Sequence, residues 1–203
     1  VNIVKQSWTF EEPVDGEAIL AKIERAGRTC YKSEDRITAD SARAFVAMCI
    51  KSGHHSVIEH HNITVRIVTD RGVTHEIVRH RLASYSQEST RYCNYEKLGI
   101  KFIEPVDFEL NDGDLQLLAA IDLHYEHCIN NLKRTPQQAR YFLPNGLKTE
   151  IVMTANIREW RHFFTLRASP KAHPQMKALA EDMLKGFRAA VPVVFDDIHT
   201  EVK

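Results

Sequence analysis

No segment of this chain approaches the roughly 18 consecutive apolar residues that a membrane-spanning helix needs. Val1 to Glu12 lacks the basic-then-apolar form of a secretory leader. Cysteine is scarce: Cys30, Cys49, Cys93 and Cys128 are the only four in 203 residues. Their wide spacing leaves no CxxC, which excludes a zinc ribbon or a thioredoxin-type site. Neither GxGxxG nor GxxxxGK[ST] occurs, so both standard phosphate loops are absent. HExxH and GxSxG are missing as well. Net charge is absent too, because 27 Lys and Arg cancel 27 Asp and Glu. A general polyanion binder would be strongly basic, although a local anion pocket stays open. Together these absences describe a cytoplasmic protein with reduced thiols and no nucleic-acid or membrane partner.

What is present is ordinary for a folded protein: 43% hydrophobic and 27% charged residues. The length suits one domain or two small ones and can supply a core without metal or disulfide staples. Asn2 to Thr9 reads as a short strand. Gly16 to Arg28 carries Ile19, Leu20, Ile23 and Ala26 at helical spacing. Thr38 or Asp40 can cap a second helix that buries Ala42, Phe45, Val46 and Cys49 and stops before Gly53. Ile63, Val65 and Ile67 alternate, which predicts a half-buried strand over 61–69. Asp70-Arg71-Gly72 turns the chain into a short helix over about 73–81. Leu82 to Ser89 reads as a polar loop and Thr90 to Tyr95 as a strand. The segment from Glu104 to Gln116 holds five acids and no base, which reads as an exposed connection. A long amphipathic helix follows over 115–132. Thr135-Pro136-Gln137-Gln138 has the form of a helix start. A strand over 147–155 and helices over 156–166 and 174–189 complete the chain. Strands and helices interleave without a βαβ rhythm, so the predicted class is α+β.

The densest chemistry lies between Arg79 and Arg91. Arg79, Arg81 and Arg91, with His80, stand among Ser84, Ser86, Gln87, Ser89 and Thr90. Guanidinium forks match phosphate oxygens, and short hydroxyls add donors. A basic turn that merely faces solvent is the plain alternative for Arg79-His80-Arg81 alone. A second basic stretch, Arg134 to Lys171, holds seven Lys or Arg against Glu150 and Glu159. Arg167 there also suits the C-terminal end of a helix dipole. His54, His55, His60, His61, His75 and His80 invite a metal reading, but His60 and His61 would point to opposite faces of a strand. No metal is therefore expected. His124 and His127 read as surface residues, and Cys49 as a small core residue.

Several segments carry a resemblance. Arg79-His80-Arg81, seven residues, then Ser89 matches an RHR-x7-S signature. Gly53-His54-x-Ser56-x-x-Glu59-His60, Ala139-Arg140-x-x-Leu143-Pro144, and Asn156 through Leu166-Arg167 to Ala172-His173-x-Gln175 match further blocks in order, with Arg28-Thr29-Cys30-Tyr31 upstream. Over roughly residues 28–175 the chain resembles the flavin-dependent thymidylate synthases, the ThyX family. The resemblance implies a single catalytic domain over 1–203. It implies a ThyX-type fold, with a central, mostly antiparallel sheet flanked by helices. The implied reaction is reductive methylation of dUMP to dTMP. FAD is the implied cofactor, methylenetetrahydrofolate and NADPH the co-substrates, and a homotetramer with shared active sites the assembly.

By position, Ser56, Glu59, Arg79, His80, Arg81, Gln87, Asn156, His162 and His173 match flavin-side residues. His54, Glu76, Glu88, Ser89, Thr90, Arg91, Arg140 and Arg167 match substrate-binding ones. Arg91 is the phosphate candidate, Arg167 lies near the base, and Ser89 acts as binder and polariser. Ser89 and Arg167 are the residues assigned to the reaction itself. Some positions depart from the family pattern: Glu76 stands for a common Gln, Ser86-Gln87 for Asn-Glu, His162 for Asn and Cys30 for Ser. The stretch from Arg167 to His173 is two residues longer than in some members. Two other classes stay open on the residues alone: a noncatalytic nucleotide- or RNA-binding module, and a His-rich metallohydrolase.

Overall fold

The computed structural model describes residues 1–200. The described residues form six strands and eight helices. The strands are β1 (Ile3–Val4), β2 (Ser7–Phe10), β3 (Asn62–Asp70), β4 (Ala83–Gln87), β5 (Phe102–Ile103) and β6 (Lys148–Asn156). The helices are α1 (Gly16–Thr29), α2 (Ser41–Lys51), α3 (Arg71–Ile77), α4 (Tyr95–Leu98), α5 (Asp112–Asn130), α6 (Pro136–Ala139), α7 (Ile157–Arg167) and α8 (Pro174–Ala190). Short 3-10 turns cover Glu34–Arg36, His55–His60 and Arg140–Phe142. The main sheet is antiparallel, with strand order β2-β3-β6-β4. The α+β class holds. β1 and β5 pair in parallel, Ile3 opposite Phe102 and Val4 opposite Ile103.

Period-two patterning builds the two long strands. Ile63, Val65, Ile67 and Thr69 of β3 are buried, as are Thr149, Ile151, Met153 and Ala155 of β6. Asp40 precedes α2 without a side-chain cap bond, contrary to expectation, because Ser41 Oγ instead accepts from Thr38 N at 2.9 Å. Side-chain caps start other helices. Asp70 Oδ1 accepts from Val73 N at 2.7 Å, and Asn156 Oδ1 from Glu159 N at 2.9 Å. Asn111 forms a capping box with Asp114 and begins α5 three residues before the predicted start.

Two expectations fail between residues 82 and 95. The predicted polar loop contains β4, and the predicted strand over 90–95 is a turn leading into α4. Ser89 O accepts from Tyr92 N at 3.1 Å and from Cys93 N at 2.9 Å, which coils the backbone there. Asn94 then caps α4, its side chain accepting from Glu96 N. The N-terminal strand is also broken in two.

The chain divides into two compact units. One comprises Val1–Trp8, Arg66–Arg79 and Tyr85–Val152. Its core gathers Tyr95, Ile100, Phe102, Tyr125, Cys128, Ala139 and Leu147, with Ile3, Leu118 and Ile121 packed against them. The other comprises Thr9–Val65, His80–Ser84 and the chain from Met153 on. There α1 packs on α2, and α7 on α8 and on the 55–60 turn. An aromatic cluster fills its centre. Trp160 and Phe187 centroids lie 4.9 Å apart, Phe164 and Phe195 5.7 Å, and Phe10 and Phe187 5.0 Å. Among the described residues no helix is long and apolar enough to cross a membrane.

Candidate active site

In the first unit, β4 delivers its last residues to a tight turn over 88–93. Gln87 Nε2 donates to Thr74 Oγ1 at 2.9 Å, which fixes its amide against α3. Glu88 N continues the ladder to Glu150 O at 2.9 Å. Its carboxylate is held twice: Oε1 accepts from the Tyr95 hydroxyl at 2.5 Å and Oε2 from Lys148 Nζ at 3.1 Å. Lys148 also donates to Glu150 Oε1 at 2.5 Å, and Arg66 lies 3.5 Å from Glu150 Oε2. These groups line a cavity of about 590 Å³ together with Lys101, Ser86 and Cys93.

The electrostatics there follow from the pairing. Burial works against the Lys148 ammonium, yet the carboxylates of Glu150 and Glu88 outweigh it and hold its pKa above the usual value. The hydrogen bond from Lys148 holds the Glu150 carboxyl low. Burial, and then Glu88, push the Tyr95 phenol up, so its proton stays in the bond to Glu88.

The turn itself collects the predicted phosphate ligands. Ser89 Oγ accepts from Arg91 N at 3.3 Å. Thr90 is buried, and its Oγ1 accepts from Arg140 Nη1 at 3.3 Å. Arg91 Nε donates to Gln137 Oε1 at 2.9 Å. Two guanidinium groups, 49 residues apart in the chain, are thereby tied to one turn, and both are exposed. Glu76 sits half-buried on α3, and Arg79 is exposed just beyond it.

In the second unit, α7 and the segment beginning at His80 form a different cluster. His80 is 4% exposed and Glu159 6%. His80 Nδ1 lies 3.1 Å from Glu159 Oε1, and Arg167 Nε donates to His80 Nε2 at 3.1 Å. The imidazole packs on Phe163 at 5.0 Å and edge-on to His162 at 5.6 Å. Burial pushes the His80 pKa down. The hydrogen bond to Glu159 opposes that push, and the charges of Arg167 and His162 add to it. His80, Glu159 and His162 bring ligand-type atoms within 4.8 Å of one another. Both His80 nitrogens are already engaged, however, one of them by a cation, so the cluster reads as a hydrogen-bonded relay rather than a metal centre.

The 55–60 turn carries the remaining predicted positions. Gly53, at φ +73°, ends α2 with a left-handed residue that a side chain would strain. His54 N then donates to Cys49 O at 2.8 Å. His54 and Ser56 line a cavity of about 640 Å³ with Arg28, Cys30, Tyr31 and Phe45. Arg28 is anchored there, 2.8 Å from Glu24 Oε1 and 4.7 Å above the Phe45 ring. Glu59 pairs with Arg158 at 2.6 Å on the surface. Asn156 spends its Oδ1 on the α7 cap, while Arg81 and His173 are exposed.

Sequence reasoning passed over Glu159, Lys148, Tyr95 and Gln137 as site residues. Only Glu159 left a signal: it is the one acid among Ile157, Trp160, Phe163 and Phe164 on the buried side of α7.

The chain and its fold have counterparts among known proteins. The family model for "thymidylate synthase complementing protein" (Thy1) matches residues 17–193. A flavin-dependent thymidylate synthase of Corynebacterium aurimucosum is 37% identical, covering 95% of this chain and 84% of its own length. Among solved structures, a UMP/dUMP methylase, PolB, from Streptomyces cacaoi superposes with TM-score 0.77 at 21% identity, over 97% of this chain and 96% of that one. ThyX from Helicobacter pylori, solved with FAD and dUMP, gives TM-score 0.75 at 22% identity, over 95% and 98%.

Proposed function

The chain belongs to the thymidylate synthase complementing family, and from that premise we propose how its residues serve an FAD-dependent methylation of dUMP to dTMP. The enzyme is a flavin-dependent thymidylate synthase, and its cofactor is FAD. Methylenetetrahydrofolate supplies the carbon in this reading, and NADPH the reducing equivalents. The observation that carries it is the attachment of Arg91 and Arg140 to one turn beside Ser89. Two exposed guanidinium forks and a hydroxyl at one turn suit the dianionic phosphate of a nucleotide.

The residues divide the work. Arg91 and Arg140 hold the phosphate, with Thr90 fixing the Arg140 fork. Ser89 offers its hydroxyl to the uracil, and Glu88, locked by Tyr95 and Lys148, keeps the turn in place. Glu76, half-buried on α3, is assigned to a sugar hydroxyl. Arg167 holds the base, its guanidinium plane set by His80. The cavity lined by Arg28, Tyr31, His54 and Ser56 fits a flavin or pterin ring: it offers an aromatic face, a guanidinium and short polar donors around one space. Arg79, Arg81, Gln87, Asn156, His162 and His173 complete the flavin side, and Glu59 stands with them. When bound, FAD supplies hydride, which no side chain here can deliver.

The chain works as one catalytic domain within a cytoplasmic homotetramer whose active sites are shared between subunits. Tyr92 and Tyr141, 77% and 85% exposed, are large apolar groups that such neighbours would cover. The purified protein is expected to be yellow, and the cofactor released by heat to run as FAD. Recovery of no flavin, with no binding on titration, would overturn the reading.

None of the four cysteines is needed for the chemical step. Cys49 and Cys128 are buried and Cys30 is exposed. A strand over 90–95 would place Cys93 on the same side as Arg91. Instead Cys93 closes the 89–93 turn and packs half-buried against the Tyr95 core. The fourfold Cys→Ala protein should form dTMP within about tenfold of the parent rate, a barrier change near 1.4 kcal/mol. Loss of turnover with dUMP and FAD still bound would point instead to thiolate attack on uracil.

A further inference from the structure

We propose that Glu159 is a positioning residue: it fixes the tautomer of His80, and through His80 it fixes the plane of the Arg167 guanidinium that meets the nucleotide base. The nucleotide part of this rests on the role given to Arg167 above; the tautomer part does not.

The argument starts from donor and acceptor capacity. The Nε of an arginine can only donate. At 3.1 Å from Arg167 Nε, His80 Nε2 must therefore present its lone pair. A neutral imidazole with an unprotonated Nε2 carries its proton on Nδ1. That proton meets Glu159 Oε1, 3.1 Å from Nδ1. Carboxylate, imidazole and guanidinium thus form a chain with a single direction: Arg167 donates to His80, and His80 donates to Glu159. Burial reinforces it. His80 and Glu159 are both below one-tenth exposed, so a lost partner would leave a polar group unsatisfied in a dry place.

The backbone gives the chain its stiffness. Glu159 is in the first turn of α7 and Arg167 at its last residue, each at the end favoured by its charge. Asn156 fixes the first turn through Glu159 N. Phe163 and His162 hold the imidazole from the same helix. A plain helix-dipole role for Glu159 would need neither burial nor a bond to His80.

The test begins with the parent protein labelled with ¹⁵N-histidine, read by long-range ¹⁵N–¹H NMR at neutral pH, with His80→Gln for assignment. His80 should appear as the Nδ1–H tautomer. The Nε2–H tautomer or an imidazolium would overturn the proposal without any variant of Glu159. Glu159→Ala should then give a mixed tautomer and weaken dUMP binding about tenfold. FAD content should be unchanged. Glu159→Gln, whose amide oxygen can still accept from Nδ1–H, should restore most of that affinity. Unchanged dUMP binding in Glu159→Ala, or equal loss in the Gln and Ala variants, would overturn it. Arg167→Gln separates the two readings. If it leaves dUMP binding intact, the role of Arg167 fails. If it weakens binding while Glu159→Ala does not, only the relay fails.

Discussion

Replacing Arg167 by alanine is expected to cut dTMP formation by about a thousandfold, the loss typical of removing one preorganised charged donor from a reacting centre. The guanidinium is half-buried at the end of α7, and its Nε is already committed to His80. Its plane is set before substrate arrives, so little reorganisation is left for the transition state. Hydride would bring an electron pair to the uracil ring, and a fixed cation stabilises the charge that develops there most. The loss should appear in kcat and also in dUMP binding, with FAD still bound. Arg167→Lys should recover little, because an ammonium cannot keep the fork bonded to His80 and presented to the base together. Turnover of one-tenth or more in the alanine variant would remove Arg167 from the reaction.

The largest stability effect is expected at Trp160. Its ring is fully buried, packs on Phe163, Phe164 and Phe187, and donates from Nε1 to Ile63 O at 3.0 Å. Trp160→Ala should cost about 3–5 kcal/mol of unfolding free energy. In a chain of this size that lowers Tm by roughly 10 °C. Trp160→Phe keeps most of the ring volume but leaves the Ile63 carbonyl without its donor, so about 1–2 kcal/mol is expected. Urea unfolding followed by circular dichroism checks both. A cost under 1 kcal/mol for the alanine variant would mean that the cluster repacks around the gap.

The long elements were legible because burial writes a period into them. β3, β6, α1, α7 and α8 each show it, and their ends carry Asp, Asn or Pro where a start is needed. β4 was not legible. Ala83, Tyr85 and Gln87 alternate with Ser84 and Ser86, but none is β-branched, and the strand lies at the sheet's edge. Composition there imitates a loop. The opposite error arose over 90–95, where Thr, Tyr and Cys suit a strand locally. The carbonyl of Ser89 and the cap at Asn94 decide the outcome, and neither leaves a periodic trace. Of the candidate site, Arg91 and Arg140 could be named where motifs are dense, and the structure brings both to one turn. The partners that set those groups, Gln137, Tyr95 and Lys148, lie far away in the chain and become visible only once it has folded.

The span of α7 bears on how this chain can change length during evolution. Its cap, its buried acid, His162 and Arg167 are all indexed to one helical screw. Inserting or deleting a single residue inside 157–167 would turn everything beyond it by about 100°. A change after Phe164 would take Arg167 off the imidazole while Trp160, Phe163 and Phe164 kept their places; one nearer the start of the helix would turn the buried aromatics as well. Substitutions in this helix can be sampled one by one, but gaps cannot. The irregular segment 168–173, free of helix and strand, has no such phase to keep. It is where a change in length should be tolerated.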